Sequence, residues 1–199
     1  MSILNGNISD SLVHPEEMPF GATMVEISCI PKCSMTVATL NDDIIICGGW
    51  GGITLYRVYE NGQTEEISQL EGLGNVRQIG VWNNFAYVSA REDGVFICDL
   101  TNFKKPTIAY HIDSVELATG IAVADGVLAI TNRHMGCELY DVREPYNPCR
   151  MGHFICGEAQ SVWLYNNMAV IGDWMNRQVL IFDISQPDDA KKLSSFKVD

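Results

Sequence analysis

Four stretches decide the fold: Gly52-Ile53-Thr54-Leu55-Tyr56-Arg57-Val58, Gly94-Val95-Phe96-Ile97-Cys98-Asp99-Leu100, Gly136-Cys137-Glu138-Leu139-Tyr140-Asp141-Val142 and Gln178-Val179-Leu180-Ile181-Phe182-Asp183-Ile184. They start at 52, 94, 136 and 178, a period of 42 residues. Glycine opens three of them and aspartate stands in the sixth place of three. Arg57 takes the aspartate place in the first, and Gln178 the glycine place in the last. Such self-similarity is the signature of a repeat architecture.

Outward from these stretches the same order recurs. A second apolar run lies about ten residues upstream: Ile44 to Cys47, Phe85 to Val88, Val127 to Ile130 and Met168 to Ile171. Each follows a turn of Asn, Asp or Gly, as at Asn83-Asn84 and Asp125-Gly126, the strongest short-range hairpin signal. Before each turn lies another short run: Val37 to Leu40, Ile79 to Trp82, Ile121 to Ala124 and Val162 to Tyr165. A more polar run closes each unit, such as Thr107 to Ile112 and Leu193 to Val198. Four short strands in one such period make one propeller blade, and no segment sustains helical periodicity. The fold class read from the sequence is therefore all-β, a β-propeller of four four-stranded blades. Prolines 106, 148 and 187 fall between the third run and the outermost one, where a residue without an N–H does no harm. The repeat aspartates are expected to accept backbone N–H groups in that turn.

Composition narrows the function classes. The chain has 199 residues, 47% hydrophobic, with 25 acidic and 13 basic side chains and a formal charge of −12. A net-anionic surface disfavours nucleic-acid and membrane-surface partners. No apolar run has the length of a transmembrane helix. Residues 1 to 10 do not read as a secretory signal, so a cytoplasmic location and reduced thiols are expected. Of the seven cysteines, Cys47, Cys98 and Cys137 sit in apolar strand runs as small hydrophobes. No zinc-ligand spacing, phosphate loop, dinucleotide fingerprint or nucleophile elbow is present, and no metal or cofactor is expected.

The apolar run ending in Asp, then a short spacer and proline, resembles the LVIVD repeat. Here it reads Val95 to Asp99 with Pro106, Cys137 to Asp141 with Pro148, and Val179 to Asp183 with Pro187. The resemblance covers about residues 35–199 and implies a β-propeller; it carries no catalytic motif. The marks of WD40 and Kelch repeats are missing. The expected organisation is an arm or lid over 1–21, then a propeller over 22–199, with blades near 35–75, 76–117, 118–159 and 160–199. Ala22 to Ser28 reads as an extra outer strand. Four complete blades plus one strand fit a single closed ring poorly. The expected resolutions are a homodimer completing a ring, the missing remainder of a longer chain, or a four-bladed ring closing alone.

In a propeller, the turns between second and third strands share one face with the connections between blades. Arg77, Arg91, Arg133 and Arg177 all fall there, with His134, Trp50 and Trp174, and with Gln160 and Asp173 nearby. Arginine beside aromatic side chains on an otherwise acidic protein suits a carboxylate. The plainer alternative pairs these arginines with Glu92, Asp93, Glu116, Glu158 and Asp173. His134 is the candidate general acid or base, with His14 in the arm a weaker one. Two functions follow. One is a binding module for a protein, peptide or small acidic ligand. The other is a lyase, isomerase or hydrolase in which arginines hold a carboxylate and His134 moves a proton.

Overall fold

The structure, a computed structural model, describes residues 34–114 and 116–198. The expected arm, His14 and the run Ala22 to Ser28 lie outside the described residues. Among the described residues fifteen strands form four antiparallel sheets. Blade 1 holds β1 (Thr36–Thr39), β2 (Ile44–Val58) and β3 (Thr64–Asn75). Blade 2 holds β4 (Gln78–Trp82), β5 (Phe85–Ser89), β6 (Val95–Asp99) and β7 (Thr107–Ile112). Blade 3 holds β8 (Ala118–Ala124), β9 (Val127–Asn132), β10 (Cys137–Asp141) and β11 (Cys149–Phe154). Blade 4 holds β12 (Ala159–Tyr165), β13 (Met168–Asp173), β14 (Gln178–Asp183) and β15 (Lys191–Lys197), the last preceded by a single 3-10 turn at Pro187–Asp189. Strands in blades 2 to 4 follow one another across the sheet in chain order.

Blade 1 differs in one respect from the sequence reading, which separates Ile44 to Cys47 from Gly52 to Val58. The two are continuous in the 15-residue β2. A straight strand of that length would span about 50 Å. Yet the Val58 N–H donates to the Asp43 carbonyl at 2.7 Å, so the element doubles back on itself. It bends at the glycine cluster Gly48 to Gly52, and the bend itself pairs with the end of β3, Trp50 opposite Asn75 and Gly52 opposite Glu71. Blade 1 is thus four-stranded in substance, with the turn drawn into the ladder.

The repeat residues do what their spacing requires. Asp99, Asp141 and Asp183 accept the N–H of Thr101, Arg143 and Ser185, each two residues on, at 2.7, 3.0 and 2.9 Å. In the first unit Arg57 instead reaches Asp43, in the preceding turn, at 3.0 Å. Pro106 and Pro148 immediately precede β7 and β11. Turns between first and second strands carry left-handed residues, Asn83 and Asn84 at φ 47° and 61° and Asp125 at 50°, which Asn and Asp tolerate better than other side chains.

Packing runs between blades. One buried cluster joins blades 1 and 2 (Ile46, Leu55, Val88, Cys98), a second joins blades 2 and 3 (Tyr87, Ile97, Ile121, Leu128), and a third joins blades 3 and 4 (Leu139, Val162, Ile171, Phe182). Burying each such side chain contributes about 1.5–3 kcal/mol, so these three seams carry most of the stability. Among the described residues no buried apolar cluster joins blade 4 to blade 1.

Candidate functional site

The turns between second and third strands place four of the sequence candidates at one equivalent position. The register aligns Gly48, Ser89, Thr131 and Gly172, so Trp50, Arg91, Arg133 and Trp174 each stand two residues later. The two middle blades carry arginine there, and the two end blades carry tryptophan. The arginines have a main-chain task that the sequence did not disclose. Arg91 and Arg133 adopt φ of 53° and 34°. Arg91 exchanges backbone bonds with Ala118 at 3.0 and 3.2 Å, and the Arg133 carbonyl accepts from Ala159 at 2.8 Å. Each turn is thereby stitched to the first residue of the next inner strand. Their side chains form the ion pairs of the plainer alternative: Arg91 with Glu92 at 3.8 Å, and Arg133 with the largely buried Glu158 at 3.1 Å. Arg77 is exposed and approaches the sulfur of Met35 at 3.9 Å.

Trp50 and Trp174 are 76% and 73% exposed. Trp174 stands on the rim of a cavity of about 660 Å³ on blade 4, lined also by Gln160, Asp173, Met175, Arg177 and Val179. Five of the eight ligand-binding candidates therefore divide from three: Gln160, Asp173, Trp174 and Arg177 share this cavity, and Arg133 reaches its wall through Glu158, whereas Arg77, Arg91 and Trp50 lie elsewhere. Trp50 borders a second cavity, about 650 Å³, on blade 1, with Cys47, the glycine turn, Thr54 and Tyr56.

The carboxylates of the blade 4 cavity are already engaged. Asp173 is buried and accepts from the Gln178 and Asn176 side-chain amides, both at 2.7 Å, and from the Glu158 N–H at 3.1 Å. Burial alone pushes this carboxyl up, but the hydrogen bonds to its charged form outweigh that and hold it below the ordinary aspartate value. Glu158 accepts from Arg133 and, at 3.3 Å, from the Gln160 amide. Arg177 makes no ion pair with any described residue. Among the described residues lining this cavity it is a cation without an ion-pair partner.

His134 is placed by its main chain. The Glu116 carboxylate accepts the N–H groups of His134 and Met135 at 2.8 and 3.1 Å, and the imidazole is exposed. His111 stacks on Phe96 with centroids 4.4 Å apart and bonds the Asp93 carbonyl at 2.7 Å, a structural role, as is that of His153 against the Met135 carbonyl. Burial drives the Cys98 and Cys156 thiols up to about 12, and Cys137 well upward too, so none is a ready thiolate. Among the described residues no group of three or more His, Cys, Asp or Glu side chains could hold a metal, and no helix is long and apolar enough to cross a membrane. The sequence reading passed over Glu138, buried in the third strand of blade 3. It bonds Asn132 at 2.8 Å and Arg150 at 2.9 Å. A charge inside an otherwise apolar run was the available signal.

Nothing among curated proteins matches this chain. Many solved structures are similar in fold, two designed proteins among them. The computationally designed Ika4 protein superposes with a TM-score of 0.61 at 11% identity, over 90% of this chain and 99% of its own. The computationally designed Ika8 protein superposes with a TM-score of 0.58 at 12% identity, over 78% of this chain, which spans about half of Ika8 (47%). The LVIVD repeat matches residues 73–113 and 156–190, segments that span the four strands of blade 2 and the first three of blade 4. With the 42-residue blades and the aspartate turns at Asp99 and Asp183, the matches show that the chain carries LVIVD repeats, a β-propeller repeat, over these two segments.

Proposed function

We propose that the protein is a binding module that holds a carboxylate-bearing ligand, a side chain of an acidic protein or peptide, on its loop face at the blade 4 cavity. One observation carries this reading: Arg177, with no ion partner among the described residues, shares the cavity with the exposed Trp174 and with Gln160, while Asp173 and Glu158 are satisfied from within. Arginine offers a bidentate fork to a carboxylate, and the indole supplies apolar area at little conformational cost. His134 does not line this cavity, and the cavity's carboxylates are engaged, which supports binding above proton transfer.

The test is calorimetric titration of the protein with hexaglutamate and, separately, with succinate. Hexaglutamate is expected to bind, with affinity falling as salt rises. Arg177→Ala should weaken it about tenfold or more, the size of a lost charge-assisted hydrogen bond of 1.5–3 kcal/mol. His134→Ala should leave it unchanged. Binding that survives Arg177→Ala, or no binding of either probe, overturns the reading. Succinate binding as tightly as hexaglutamate would assign the site to a small acid instead.

A further inference from the structure

Each blade turns one sheet face toward its predecessor and the other toward its successor. In three seams these faces are buried against each other; at the two ends they are bare among the described residues. Val37 of blade 1 is 63% exposed, while its counterparts Ile79, Ile121 and Val162 are buried. On the successor-facing side of blade 4, Trp163 is 61% and Tyr165 51% exposed, stacked on each other at 5.6 Å. Val170, Val179 and Ile181 continue that apolar face, and Phe196 is exposed at its edge.

The two bare faces are counterparts in size. Along the inner strands of the closed seams, the successor-facing place is small (Ala38, Gly80, Ala122) and the predecessor-facing place is branched and larger (Val81, Val123, Leu164). A Cβ on Gly80 would already lie 3.1 Å from Val123. At the ends the pattern changes on one side: Trp163 occupies the small place on blade 4, while Thr39, shaped like valine, keeps the branched place on blade 1. Cys47, the half-exposed Ile45 and the glycine bend extend the blade 1 face, leaving it room for large aromatic side chains.

We propose that two copies of this chain close one ring, blade 4 of each seated on blade 1 of the other. A two-fold pair uses the same seam twice and leaves neither face bare, whereas any single short segment could cover only one. Both cavities lie along these faces, so pairing turns the blade 1 glycine bend of one copy toward the Arg177 and Trp174 rim of the other. The proposal does not rest on the ligand reading, because the mass is read with no ligand present.

The experiment is light scattering coupled to size exclusion on the full chain at micromolar concentration. The wild type is expected at twice 22.1 kDa. Val37→Lys and Trp163→Glu should each run at the single-chain mass with an unchanged circular dichroism spectrum, since both side chains are exposed within one chain. Mixed together they should return to the double mass, because one seam is then wild type and the other pairs Glu with Lys. A wild-type monomer overturns the proposal, including one in which Trp163 is shielded from iodide quenching by another part of the same chain. So does a double mass indifferent to both substitutions, or a mass that grows without limit as an open head-to-tail assembly would.

Discussion

Among the described residues, blades 2 and 3 face blades on both sides, and blades 1 and 4 face a blade on one side only. The same repeat is tuned differently in the two settings. At the turn between second and third strands, the middle blades carry Arg91 and Arg133, whose main chains tie to Ala118 and Ala159 of the following blade. The end blades carry Trp50 and Trp174, exposed beside cavities. On the sheet faces, the middle seams pair small with branched inner-strand residues, and the blade 4 end puts Trp163 in the small place. A repeat position thus reads as scaffold in the two blades flanked on both sides, and as exposed surface in the two end blades.

The sharpest break of this comparison is a pair of truncations at one ladder position. Leu139 and Ile181 occupy equivalent places in β10 and β14. Leu139 is fully buried between blades, so Leu139→Ala should cost about 2–5 kcal/mol in urea unfolding. Ile181→Ala on the bare face should cost about 1 kcal/mol in dilute protein, near the average for a point change. Equal losses would mean that the blade 4 face is as covered as the seams. The closing pair of glycine substitutions is smaller. Gly136 and Gly51 both have positive φ, 81° and 91°. A Cβ at Gly136 would land on the Phe154 carbonyl, whereas at Gly51 nothing lies within 4 Å. Gly51→Ala should lower stability by about 1 kcal/mol of backbone strain. Gly136→Ala should add about 1–3 kcal/mol of overpacking to that, read from the same unfolding curves.

The smallest expected effect is a pH slope. The Arg143 side chain and N–H hold the Asp141 carboxyl down at about 2, below its value in the unfolded chain. A depressed folded value contributes stability that is complete above the unfolded value and lost as the pH falls through the folded one. The wild-type Tm should therefore fall between about pH 4 and pH 2. Asp141→Asn keeps the turn acceptor but cannot titrate, and its Tm should fall less steeply over that window. Blade 1 has Arg57 at this place, so Arg57→Gln should leave the slope of the Asp141 step unaltered.

Much of this architecture was legible in the residues. The 42-residue period, the Asn and Asp turns and the aspartate that accepts its neighbour's N–H are local: each rests on a few consecutive residues, and local chemistry is visible in order. The candidate site was legible only in part. Arginine and tryptophan were correctly drawn to the turns between second and third strands, but sequence could not sort them. Arg133 is engaged by Glu158, 25 positions away, and Arg177 has no such partner among the described residues. Glu138 went unread because its justification, Arg150, sits on the adjacent strand.

By itself, then, the sequence determined the blade: its length, its strand order, its turns and the faces that alternate along each strand, all consequences of backbone geometry repeated at a fixed interval. Tertiary structure alone decided which faces are covered, which carboxylates are already satisfied and which cation is left over. Those properties depend on distances between residues tens of positions apart, and no local pattern encodes whether a neighbour is there to meet them.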